Sequence, residues 1–247
     1  MSTFAGISNS EVIPVIDSNL FDNNAAHLAV GVLAVNDVPL QGLEKEYRGY
    51  YDLRKNVYVY QTGQLSEEDL ADDGTDRDED DERSIAFGVI ENNSNSQRLI
   101  ATMRLIVKRS SNDRKLPVEE YCPEIFPQPS EQNSIEVSRF ISRHEDRGIQ
   151  DMAKWLIYGT GLVQAFNKGL GPVFAIVEPG LEENLRKTVP ITRLGEPRYI
   201  PHYLGDNLPI SVDTNKFVDQ AKLIFPDMMD GLINADGDIF YLGGESS

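Results

Sequence analysis

Apolar and polar positions alternate with two different periods along this chain, and the switches between them mark the elements. L-A-V-G-V-L-A-V-N-D (28–37) is a continuous apolar run closed by turn-forming Asn-Asp, which predicts a buried strand. Leu43, Tyr47, Tyr50, Tyr51, Arg54, Val57 and Tyr58 recur at helical spacing, so 42–60 is expected to be a helix with Gly63 beyond its end. Two β-branched runs around Asn-Asn-Ser-Asn-Ser, between Ser84 and Lys108, predict a hairpin. Pro117, Pro123, Pro127 and Pro129 then predict a loop with short helical turns. N-S-I-E-V-S-R-F-I-S (133–142) predicts the next strand. Met152, Trp155, Leu156, Gly159, Leu162, Val163 and Phe166 predict the strongest helix, with Asp151 as its cap and Gly169 as its end. G-P-V-F-A-I-V-E (171–178) predicts a short apolar strand, and P-G-L-E-E-N-L-R-K the start of a helix. Strand–helix alternation after a hairpin gives a mixed α/β sheet. No repeat or low-complexity linker divides the 247 residues, so one domain is expected. Residues 1–25 are expected to form an irregular surface arm. The segment 200–247, with one helix expected at 215–224, remains an extension without an assigned role.

Composition narrows the function classes. No apolar run approaches the roughly 20 residues of a membrane span. The opening residues have no basic segment followed by an apolar one, and the single cysteine, Cys122, allows no intramolecular disulfide, so a cytoplasmic protein is expected. The formal charge of −17 argues against nucleic-acid binding. Residues 67–83 hold eleven acids and two arginines and so carry −9 of that total. The run reads as a mostly solvated loop, and it lacks the ligand spacing of a calcium loop. The three histidines, His27, His144 and His202, are scattered, and no metal site is expected. Cys122 has no nearby base in sequence, which argues against a nucleophile.

What remains is carboxylate and arginine chemistry. Arg104 lies inside a strand between Met103 and Leu105 and must face away from them. In the strand around Glu136 and Arg139, strict alternation places Glu136, Ser138 and Phe140 on one face and Arg139 with Ile135 and Val137 on the other. A regular strand therefore keeps Glu136 and Arg139 apart, as members of separate ion pairs or with separate tasks; a bulge would change that. Arg147-Gly148 after this strand opens the strong helix, where an anion such as a phosphate could meet free amides.

In order, these pieces resemble the acyl-homoserine-lactone synthases, the autoinducer-synthase branch of the GNAT acyltransferase superfamily. The early L-R-x-x-V-F motif reads Leu53-Arg54-Lys55-Asn56-Val57-Tyr58 here. The arginine strand reads Ala101-Thr102-Met103-Arg104-Leu105-Ile106, and E-x-S-R-F is intact from Glu136 to Phe140. R-L-G-E-P follows at Arg193–Pro197. The family's tryptophan after the first helix is absent, and its E-x-D-x-x-D motif dissolves into the acidic run, with Asp76, Asp78 and Glu79 nearest by spacing.

The resemblance implies a GNAT-like, mainly antiparallel central sheet flanked by helices. It implies acyl transfer from an acyl-carrier-protein or coenzyme A thioester to a small amine, S-adenosylmethionine first among them, with no tightly bound cofactor. Glu136 and Arg139 would be catalytic, Glu136 as the base. Arg54, Tyr58, Asp76, Asp78, Arg104, Ser138 and Phe140 would bind substrate, in an acidic pocket suited to a sulfonium cation. Arg147 and Gly148 would hold the donor. An acidic carrier protein would need a basic patch, for which Lys154, Lys168, Arg186 and Lys187, or Lys108, Arg109, Arg114 and Lys115, are candidates. Two alternatives stay open: a GNAT enzyme that acylates an amino acid or another amine, and a catalytically silent domain that binds a ligand or partner.

Overall fold

The apolar runs become neighbouring strands of one sheet. A computed structural model describes residues 27–93, 96–126, 133–224, 226–234 and 239–242. The expected arm at 1–25, the centre of the hairpin turn, Pro127, Pro129 and the glycine-rich end lie outside these residues.

β1 (His27–Val35) and β2 (Val38–Pro39) lead into α1 (Glu44–Lys55). The expected helix at 42–60 is present, but its last six residues, Asn56–Gln61, widen into a π-helical turn, closed by Thr62 N–H on the Val57 carbonyl at 2.9 Å. Tyr47, Tyr50 and Tyr51 of α1 pack on Leu33, Ala34 and Ala86. β3 (Ser84–Asn93) and β4 (Ser96–Lys108) form the expected hairpin, with Ile85 opposite Leu105 and Phe87 opposite Met103. The proline-rich stretch contains one short helix, α2 (Pro117–Tyr121), with Pro117 at its first position, where its missing N–H costs nothing.

β5 (Ser134–Ser142), α3 (Arg147–Asn167), β6 (Val173–Val177) and α4 (Pro179–Leu185) follow as the alternation implies. β7 (Ile191–Arg193), β8 (Arg198–Ile200), β9 (Gly205–Val212), α5 (Thr214–Ile224), α6 (Pro226–Asn234) and β10 (Ile239–Leu242) complete the chain. The sheet order is β10-β1-β3-β4-β5-β6-β9-β7, with β2 on β1 and β8 on β9. Among the described strands only β5 and β6 run parallel. The sheet is therefore mixed and mainly antiparallel, with helices on both faces, as a GNAT-like fold requires.

α3 lies across one face and shares its core with Met103, Leu105, Ile135 and Val173 of the sheet. Its cap is Asp146 rather than Asp151: Asp146 Oδ1 accepts the amides of Gly148 at 2.7 Å and Ile149 at 3.1 Å, whereas Asp151 bonds Lys154. Gly169 ends the helix at φ +60°, a conformation only glycine adopts without cost. The extension acquires a structural role. Phe217, Val218 and Ala221 of α5 and Met229 and Leu232 of α6 join the core around α3, and β10 pairs with β1.

Candidate active site

β5 and β6 are hydrogen-bonded only from Ile135 to Val137 and from Val173 to Ala175. Beyond that they separate, and a cavity of about 170 Å³ opens in the wedge. Val137 and Phe140 of β5, Tyr158 and Leu162 of α3, and Val177 of β6 form part of its apolar wall. Glu136, Ser138, Arg139, Tyr58 and Tyr203 border it with polar groups.

The strand that carries E-x-S-R-F is not regular. Ser138 stands opposite Arg104 and Ile141 opposite Thr102, so both Arg139 and Phe140 face the single residue Met103. This is a bulge, and Arg139 takes it up at φ +52°, in the left-handed region that disfavours a side chain. Surrounding contacts hold the distortion. Tyr58 Oη donates to the Phe140 carbonyl at 3.0 Å, and Thr102 Oγ1 donates to the Arg139 carbonyl at 3.3 Å. Tyr58→Phe is expected to lower stability by about 1 kcal/mol, read as a fall in the urea midpoint; an unchanged midpoint would mean the bulge stands without that bond.

The extra residue corrects the alternation expected from sequence. Phe140 turns toward α3 and stacks on Tyr158, with ring centroids 4.4 Å apart and planes 19° apart. Arg139 joins Ser138 and Arg104 on the opposite side. Glu136 and Arg139 nevertheless form no ion pair with each other, because each has other partners. Glu136 is 1% exposed and its Oε2 accepts the Val118 amide at 2.7 Å. Burial pushes its carboxyl up to about 8, against the opposing pull of that amide bond.

Arg139 enters a buried network instead. Its Nε and Nη2 reach Asp76 at 3.1 Å, and Nη2 also reaches Asp78 at 3.1 Å. Arg54, from the end of α1, bonds Asp76 at 2.9 Å, Asp81 at 2.8 Å and Tyr50 Oη at 3.0 Å. Arg104 bonds Ser138 Oγ at 2.9 Å, Asp78 at 2.5 Å and Asp81 at 3.0 Å. The acidic run is thus not a solvated loop throughout: Asp76 and Asp81 are 3% exposed. Asp81 is the member sequence reasoning missed. Asp76-Arg77-Asp78-Glu79-Asp80-Asp81 keeps the D-x-x-D spacing of the motif, whereas Glu79 points outward and pairs with Arg114. In this network three guanidinium groups meet three carboxylates, so it carries no net charge, while the charged residues that border the cavity itself are Glu136, Glu178 and Arg139.

Arg54, Arg104, Arg139, Asp76, Asp78, Ser138 and Tyr58 are therefore brought together around the bulge, and Glu136 and Phe140 border the same cavity. Arg147 and Gly148 are not part of this group. The amides at that helix start are filled by the Asp146 carboxylate, so they offer no open anion site. Tyr158 and Tyr203 went unread: Tyr158 hides in the apolar periodicity of α3, and Tyr203 sits in the unassigned tail. Cys122 is fully buried and burial pushes its thiol up, against the pull of nearby Arg198. His144 Nε2 lies 3.1 Å from Glu91, and His202 stacks on Tyr121. Of the Lys108 cluster, Lys108 itself is fully buried and bonds both oxygens of Glu119 at 2.7 Å, whereas Arg109, Arg114 and Lys115 are exposed. Among the described residues no helix is long and apolar enough to cross a membrane, and no three His, Cys, Asp or Glu residues gather as a metal site.

Residues 53–155, which contain every arginine and aspartate of the network as well as Glu136, match the acetyltransferase (GNAT) domain family. No curated protein matches the chain by sequence. Among solved structures it is similar to FeeM, an N-acyl amino acid synthase from uncultured soil microbes, with a TM-score of 0.55 and 11% identity over 78% of this chain and 94% of that one. It is similar to BjaI, a CoA-dependent acyl-homoserine lactone synthase, with a TM-score of 0.58 and 15% identity over 79% and 89%. MesI, another CoA-dependent acyl-homoserine lactone synthase, gives 0.52 and 15% over 76% and 86%. At these identities the likeness is one of fold. The domain match over residues 53–155 and the likeness to these structures together show a GNAT-like fold.

Proposed function

We propose that the chain transfers an acyl group longer than acetyl from a coenzyme A or carrier-protein thioester to a small amine, with S-adenosylmethionine as acceptor and an N-acyl-homoserine lactone as product. The observation that carries this reading is the apolar cavity that begins at Glu136 and the β5 bulge and runs between β5, β6 and α3. An acetyl group has no use for such a space, whereas an alkyl chain fills it and leaves its thioester at the polar end.

Glu136 removes a proton from the acceptor ammonium, directly or through water. The amine then attacks the thioester carbonyl carbon. Backbone amides freed from the ladder by the bulge are the donors available to the oxyanion. The thioester C–S bond breaks, and the thiolate leaves and takes up a proton; with S-adenosylmethionine the acylated product then lactonises, its carboxylate oxygen attacking the γ-carbon as the sulfonium C–S bond breaks and methylthioadenosine leaves. Arg54, Arg104, Asp76, Asp78 and Asp81 fix the wall against which the acceptor lies, and Arg139 organises the bulge.

A second reading takes an amino acid or another small amine as acceptor. The neutrality of the arginine–aspartate network favours it, since its three carboxylates are already paired with guanidinium groups and leave no net negative charge there to select a sulfonium. Mass spectrometry of organic extracts from expressing cells separates the two. An acyl-homoserine lactone supports the first reading and an acyl amino acid the second. Failure of the purified protein to form any N-acyl product, from a panel of thioesters and amines, would refute both.

A further inference from the structure

Gly161 lies in the middle of α3, where glycine is an unfavourable helix residue. The reason for it is steric. A β-carbon at this position would stand 2.0 Å from Met103 Cε and 3.6 Å from its Sδ. The methionine tip therefore occupies the notch that the missing side chain leaves. Met103 is fully buried, and it is the one β4 residue that both bulge residues, Arg139 and Phe140, oppose. It borders the cavity, as do Tyr158 and Leu162 on either side of Gly161 in α3, while Gly161 itself does not.

Protein interiors hold few voids, and the open space next to Met103 is the cavity. Any group at position 161 must push the flexible thioether, which adapts readily, toward that space. We infer that Gly161 and Met103 together set the depth of the cavity and so the length of acyl chain it accepts: the glycine holds the methionine out of the alkyl site. The inference rests on the acyl-transfer reading and adds to it the residue pair that determines donor specificity.

The test uses straight-chain acyl-CoA thioesters from acetyl to dodecanoyl, with binding followed by calorimetry and transfer by kcat/KM. Wild type, Gly161→Ala, Met103→Ala and the double variant are compared. Gly161→Ala should move the optimum to shorter chains, with a loss of about tenfold for each methylene beyond the new limit. Met103→Ala should move it to longer chains. The double variant should behave like Met103→Ala, because the thioether that a β-carbon at position 161 would displace is gone, and this departure from additivity marks a shared mechanism. Should Gly161→Ala fail to fold, Met103→Ala alone decides, since it only removes atoms. A wild-type length optimum that survives in the folded variants overturns the inference and leaves acyl transfer standing. A wild type that binds no thioester of any length, whether offered on coenzyme A or on an acyl carrier protein, overturns both.

Discussion

Glu136→Gln is expected to reduce acyl transfer by about 10²–10⁴-fold, the usual contribution of a positioned general base, while the protein stays folded. The amide is isosteric, and its oxygen can still accept the Val118 N–H that Glu136 Oε2 accepts at 2.7 Å. What it cannot do is take a proton. Burial lifts the Glu136 carboxyl from an ordinary 4.5 to about 8, so at neutral pH most of it is protonated and only a minority acts as base. The wild-type rate should therefore rise with pH and level off above about 8, and the Gln variant should lose that dependence. The same shift predicts a change in stability. A raised acid gives its full stability below 4.5, and loses it progressively as pH rises through about 8, because the unfolded chain ionises more easily. At roughly 1.4 kcal/mol per tenfold of proton affinity, charging Glu136 in place costs a few kcal/mol. Glu136→Gln should thus melt higher relative to wild type at pH 8.5 than at pH 5. Undiminished turnover with a folded variant would remove Glu136 from the chemistry; parallel melting curves at both pH values would remove it from the pH dependence.

Much of the sheet and half of the site could be read from local pattern. Glu136, Arg139 and Arg104 stood out because a charge inside an apolar strand must be explained. Arg54 stood out because it shares the apolar face of α1. What could not be read depends on contacts distant in sequence. The acidic run looked solvated because eleven acids in seventeen residues repel one another locally. Three of them turn inward only because arginines from α1, β4 and β5 converge beneath them. The bulge leaves no glycine to mark it, since Arg139 adopts the left-handed conformation and its own ion pairs hold it there. The cap of α3 was misplaced because both Asp146 and Asp151 are capping residues. Only the path of the chain out of β5 chooses between them. The tail resisted assignment because its apolar residues are sparse, and they acquire meaning only against α3.

Asp81→Ala should be the most destabilising single change in the network, at about 3–5 kcal/mol. The carboxylate bridges Arg54 at 2.8 Å and Arg104 at 3.0 Å, and its Oδ2 accepts the Asp78 amide at 2.9 Å. Both arginines are 2% exposed or less, so removing Asp81 strands positive charge where water cannot replace the lost partner. Burial alone would favour protonation of Asp81, but Arg54 and Arg104 outweigh it and hold the carboxyl below the ordinary range. A depressed acid stabilises the fold above its unfolded value of 3.8 and loses that stability as pH falls below it. The gap between wild type and Asp81→Ala should therefore be constant near neutrality and close in acid. For a chain of this size the neutral gap corresponds to a melting decrease on the order of 10 °C. Glu79→Ala is the control from the same loop. Its carboxylate is 84% exposed and pairs with a half-exposed Arg114, so its loss should cost under about 1 kcal/mol and shrink further in salt. Equal, small effects at the two positions would mean that the buried network contributes nothing beyond surface pairing. A large effect at Asp81 alone would establish that the acidic loop is held in place by buried ion pairs, its geometry depending on three arginines being neutralised from one short segment.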